Sequence, residues 1–151
     1  FSGMFIGFLL KKAATEEIKF GKYGLKYFIW MKRIIILLLI SFFLYTEKFS
    51  IELLLGIIVG IIGGLFLREY FFLGCALNAS FSMNNNIIMT TASLIFLYGL
   101  PYGSILRNLK KEQILLTGIF FIIPFASDVI KIPSDVLIGL AIGGLLQYLR
   151  K

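Results

Sequence analysis

Apolar runs recur along this chain from Gly3 to Leu149, and charges stand almost only where one run gives way to the next. That pattern leaves few folds open. A run too apolar to face water on any side belongs in a large core or in a bilayer. With 151 residues, 59% of them hydrophobic, and a mean hydropathy of +0.94, the chain lacks the polar surface to cover such a core. It therefore reads as an all-α, polytopic transmembrane helix bundle of about seven short helices. The whole of 1–151 forms one integral membrane domain.

The segments follow in order. FSGMFIGFLL, the first, supplies about 15 Å of helix against a hydrocarbon core of about 30 Å, so it reads as the remainder of a longer helix. Residues 13–30 mix Lys19, Lys22 and Lys26 with Phe20, Tyr23, Tyr27, Phe28 and Trp30, a composition suited to the cytoplasmic interface. Gly21 and Gly24 argue against one long helix there. The second helix is expected from about Ile29 to Tyr45, around the unbroken run IIILLLISFFLY. Ser50 then caps a third, IELLLGIIVGIIGGLFLR, which ends at Arg68. Gly56, Gly60 and Gly64 recur on it every four residues, and Gly139 and Gly143 do so on the last helix. Such ridges let a second backbone come close, as GxxxG pairs do. The third helix and the last share an early acid, a glycine ridge and a closing LFLR or LQYLR, and each follows an apolar helix entered from a basic pair, a weak internal repeat of two hairpins, about 31–68 and 110–150.

The middle hairpin, about 70–103, sets the topology. Its second arm is read from Ile87 to Leu100, stopped by Pro101. A sixth helix is expected from Gln113 to Ser127 with a kink at Pro124, and a seventh after Pro133 with Ser134 as cap. If Tyr70–Ser82 crosses, seven segments span, and 13 of the 15 basic residues fall on one side; only Lys48 and Lys131 lie opposite. If it is re-entrant, six segments span and the split is nine against six. The positive-inside rule favours seven, with the basic loops and the C-terminus in the cytoplasm of a multi-pass cell-membrane protein.

The chemistry is bounded by what is missing. Histidine is absent and Cys75 is the single cysteine, which removes the usual zinc, haem and general-base sites. No enzyme motif occurs, and no metal or cofactor is expected. A net charge of +7 belongs to loops facing anionic lipid rather than to nucleic-acid binding. Polar side chains at membrane depth gather in the middle hairpin: Asn78, Ser80, Ser82, Thr90, Thr91 and Ser93. They read either as a polar path for a solute or as hydroxyls bonded to their own helices. Glu47, Glu52, Asp128 and Asp135 collect at the opposite ends of the two repeated hairpins, as a cation-attracting vestibule or as acids at helix N-termini.

Three function classes remain. The first is a small transporter or channel-like protein, or the membrane subunit of a transporter, moving a small solute. The second is a non-catalytic structural or assembly subunit of a larger membrane complex. The third, a lipid-acting membrane enzyme, would have to work without His, paired Cys or a buried carboxylate. The bilayer is the expected partner, together with a second copy of the chain or other membrane subunits.

Overall fold

A computed structural model describes residues 2–14, 22–105, 111–127 and 131–150. Among these the chain forms seven α-helices and no strand: α1 (Ser2–Ala14), α2 (Lys22–Thr46), α3 (Ile51–Gly63), α4 (Glu69–Phe81), α5 (Asn85–Ile105), α6 (Lys111–Ile122) and α7 (Ser134–Arg150). A 3-10 turn, Ile123–Ala126, continues α6. One stretch, Lys26–Thr46 within α2, is long and apolar enough to cross a membrane by itself.

Several boundaries differ from those expected. The α2 helix starts at Lys22, not Ile29, so the described part of the expected interfacial segment is the opening of a continuous 25-residue helix. Gly24 is absorbed because its propensity cost, about 1 kcal/mol, is small against the rest of so long a helix. Conversely, α3 stops at Gly63 rather than Arg68, and the chain tightens into turns in which the amides of Leu65 and Phe66 donate to the carbonyls of Ile62 and Gly63. Pro101 does not end α5, which runs on to Ile105. Gly99 and Gly103 flank it and lie against the backbone of α1, so packing offsets the one hydrogen bond that proline forfeits. Pro124 converts the end of α6 to 3-10 geometry, and α7 begins at Ser134, whose preceding Pro133 carbonyl accepts from Val136 and Leu137.

Two glycine seams organise the bundle. Along α3 and α7, Gly56 faces Val136 and Gly139, Gly60 faces Leu140 and Gly144, and Gly64 faces Gly144 and Gln147. Along α1 and α5, Gly3 faces Phe96 and Gly99, and Gly7 faces Leu100. Both sets advance in step, so each pair is parallel. The same holds for α4 and α6, where Gly74 meets Phe121 and Pro124 while Asn78 meets Pro124 and Ser127. Each parallel pair encloses an odd number of intervening helices, as strict up-and-down alternation requires. Were α4 to turn back on itself, α3 and α7 would run antiparallel.

The α4 helix lies at the centre, against α5, α6 and α7. Glu69, Tyr70, the stretch Phe72–Ala76 and Asn78–Ser80 are all buried, and only Phe81 is an exposed large apolar residue on it. Surrounding helices turn apolar side chains outward instead: Leu37, Leu38 and Leu44 on α2, Leu55, Ile58, Val59 and Ile62 on α3, Leu115 and Ile119 on α6. Exposed apolar surface on this scale is foreign to a monomer in water.

Candidate functional site

The residues expected to line a path do not converge on one surface. Asn78, Ser80 and Thr91 are buried, whereas Ser82, Thr90 and Ser93 are exposed. Four of the hydroxyls donate to carbonyls one turn back in their own segment: Ser80 to Leu77, Ser82 to Ala79, Thr90 to Asn86 and Ser93 to Met89. Asn78 has a tertiary partner. Its Nδ2 donates to the Pro124 carbonyl at 3.1 Å and to Ser127 Oγ at 2.8 Å, holding the irregular end of α6 to α4. The Thr91 hydroxyl is buried without a partner among the described residues.

Of the four vestibule acids, Asp128 lies outside the described residues. Glu52 is an exposed first-turn acid on α3. Burial, and to a lesser degree the charge of Asp135, raise the Glu47 carboxyl above its ordinary range. Ser50 joins the two hairpins there, accepting from the Leu53 amide at 3.1 Å and donating to Asp135 Oδ2 at 2.9 Å. Its cap function on α3 is as expected.

A different cluster carries the buried charge. Lys32 stands in the third turn of α2, in register with Ile36, Leu39, Ile40 and Phe43, the residues α2 buries. Helical spacing therefore aims its stem inward while Arg33 turns aside. Its Nζ lies 2.7 Å from Glu69 Oε2, with the two side chains 21% and 10% exposed. On α5 the inward stripe is Thr91, Ile95, Tyr98 and Tyr102, again at helical spacing. The fully buried Tyr98 hydroxyl donates to the same Glu69 oxygen. The Lys32 ammonium sits 5.5 Å from the centre of the Tyr98 ring and 5.2 Å from that of Tyr102, inside the range of a cation–π contact. Thr117 on α6 hydrogen-bonds Tyr102, and Tyr148 on α7 donates to the Leu67 carbonyl just before α4.

The Glu69 carboxylate of α4 is thus held by Lys32 from α2 and Tyr98 from α5. Tyr70, edge-on to Tyr98 and Tyr102 with ring centres 6.1 and 5.0 Å away, completes the wall; its hydroxyl is buried with no partner among the described residues. Geometrically this is a carboxylate, an ammonium paired with it and a lining of tyrosine faces. It can hold a cation or a hydrogen-bonding solute, but among the described residues no three His, Cys, Asp or Glu side chains converge as a metal site. The sequence reading expects no buried carboxylate, and the burial of Glu69 corrects it. The signal was the spacing of Lys32 from Ile36, Leu39 and Phe43, hidden because α2 is apolar on every side.

Comparison with protein-family models, with curated proteins and with solved structures finds no match to this chain.

Proposed function

We propose that this chain is a seven-crossing integral membrane protein of the transport class, moving a small solute by way of the Lys32–Glu69 cluster. The observation that carries the reading is the buried ion pair itself. Charges enclosed by an apolar-faced bundle are costly, and where they occur in membranes they mark solute and ion pathways more often than scaffolding. Support for seven crossings comes from the alternation of helix directions, the outward apolar faces and the basic residues shared by one end of the bundle. At that end belong Lys26, Arg68 and Arg150, which puts the pair near the cytoplasmic mouth. The short α3 and α4, about 20 Å each, fit a locally thinned or deeply indented path.

The assembly-subunit reading draws on one observation of its own. The face that runs from Ile51 on α3 to Phe66 in the turn after it is broad, apolar and exposed, with Phe66 82% accessible. It would suit another membrane chain as well as lipid. Reconstitution separates the two. The chain purified alone should stay monodisperse and pass solute in liposomes, with Glu69→Gln reducing flux at least tenfold. Aggregation unless other subunits copurify, with no flux, would reject transport. For topology, cysteine at Asn85 in a Cys75→Ser background should react with an impermeant thiol reagent from outside and cysteine at Lys111 should not.

A further inference from the structure

We propose that Glu69, Tyr98 and Tyr102 form a binding site for organic ammonium ions, and that Lys32 is the occupant the chain itself supplies. The proposal rests on the transport reading, since it names the solute class for the same cluster.

Three features go beyond a structural salt bridge. An ion pair needs only a counter-charge, yet the Lys32 ammonium also faces two tyrosine rings, at 5.5 and 5.2 Å. Ring faces replace the hydration shell of an ammonium, and a carboxylate among aromatic faces is the usual way proteins recognise one. Second, the cage is held by residues other than Lys32. Tyr98 hydrogen-bonds the Glu69 carboxylate, Thr117 hydrogen-bonds Tyr102, and Tyr98 and Tyr102 stack at 6.2 Å. It therefore keeps its shape when the ammonium leaves. Third, the occupant can leave. Lysine carries a compact charge on a flexible four-carbon stem, and this one retains 21% of its side-chain exposure, so the head can swing to water without dragging its helix.

The consequence is a competition. A tethered ligand acts at an effective concentration in the millimolar range, so an external amine must exceed that to enter. Lys32 thereby sets a threshold and keeps the carboxylate neutralised when no solute is bound. The Tyr70 hydroxyl, buried with no partner among the described residues, gives an incoming ammonium a further hydrogen-bonding group.

The test vacates the cage and refills it. Lys32→Ala, purified in detergent, is heated with propylammonium chloride, which reproduces the end of the lysine stem, or with equal sodium chloride. Propylammonium at ten times its dissociation constant should raise the midpoint by roughly 3–6 °C over sodium. The rise should vanish in Lys32→Ala/Glu69→Gln. Equal responses of the two variants, or none in either, would overturn the proposal. Should Lys32→Ala fail to fold, the unaltered protein answers the same question. Tetramethylammonium, by taking the cage, should speed acetylation of Lys32 about threefold or more relative to Lys26, read by mass spectrometry; an unchanged ratio overturns the site. Rescue without liposome flux would reject the transport reading and keep the site. Flux of a neutral solute without rescue would do the reverse.

Discussion

Two glycines on α3, three residues apart, should respond to the same substitution in opposite directions. A β-carbon on Gly60 would stand 2.5 Å from the Leu140 carbonyl oxygen and 2.9 Å from the Gly144 amide nitrogen. Both atoms belong to the backbone of α7, so no side chain can rotate away. Restoring a contact of about 3.4 Å means opening the seam by about 0.9 Å, and a gap of that size forfeits a quarter to a half of the dispersion energy along it. Overpacking of this kind costs about 3 kcal/mol, and the helix propensity gained from alanine returns about 1 kcal/mol, a net loss of about 2 kcal/mol. At Gly63 the added carbon would meet only Phe72 Cζ at 3.6 Å and Leu67 Cδ1 at 3.7 Å, ordinary contacts. Gly63→Ala should then keep the propensity gain and stabilise by up to about 1 kcal/mol. Thermal unfolding in mild detergent, followed by circular dichroism, should separate the variants by about 3 kcal/mol, or roughly 6–12 °C for a chain of this size. Midpoints within 1 °C of each other, or in the reverse order, would refute a backbone-to-backbone seam between α3 and α7.

Further outcomes follow from the polar contacts. Lys32→Met leaves the Glu69 carboxylate buried and unpaired and should cost about 3–5 kcal/mol, whereas Glu69→Gln keeps a partner for Tyr98 and frees Lys32 toward water, costing less than half as much; chemical denaturation of the single and double variants measures the difference. Asn78→Leu removes the donor to Pro124 and Ser127 and should cost about 1–3 kcal/mol in the same assay, while Thr90→Val should stay within about 0.5 kcal/mol because that hydroxyl is exposed. The raised Glu47 carboxyl favours the folded state when protonated, so its contribution is present at acid pH and fades as pH climbs through the raised value. Glu47→Gln should therefore raise the thermal midpoint at pH 7 and change it little at pH 4; an equal effect at both would show that folding does not raise the Glu47 carboxyl.

Much of the fold was legible because long apolar runs are punctuated by charges and turn residues. Charges and turn residues divided the apolar runs correctly: Ser50 capped α3, and the middle hairpin contained two helices as expected. Glycine spacing pointed to close backbone approach on α3 and α7, though not to their being partners, since a ridge says nothing about what fills it. Boundaries were missed where a local breaker met tertiary packing. Pro101 has a breaker's chemistry, but α1 lies along Gly99 and Gly103 and holds α5 straight through it. Gly64 was counted as a ridge residue and does face Gly144 and Gln147, yet α3 ends just before it as the chain closes into tighter turns.

The site was less legible for a related reason. Hydropathy ranks positions by how polar they are, and it therefore drew the reading to the hydroxyls of the middle hairpin. A hydroxyl in a helix can satisfy itself on the preceding turn at no tertiary cost, as Ser80, Ser82, Thr90 and Ser93 do. A carboxylate or an ammonium cannot, since each needs an opposite charge or water. Charged residues near helix ends have water within reach, and nothing in the sequence sets Glu69 or Lys32 apart from such charges. What decides between water and a partner is angular register, and register can be read only where a helix has a polar side to contrast with its apolar one. On α4 and α2 that contrast is missing: α4 is enclosed on nearly every face, and α2 is apolar around its whole circumference beyond Arg33. Tyrosine supplies the missing contrast. Tyr98 and Tyr102 stand one helical turn apart on α5, among leucines and glycines, and each hydroxyl needs a partner if buried. In an apolar bundle a pair of tyrosines at that spacing marks the face where a charge is waiting more reliably than a cluster of serines and threonines does.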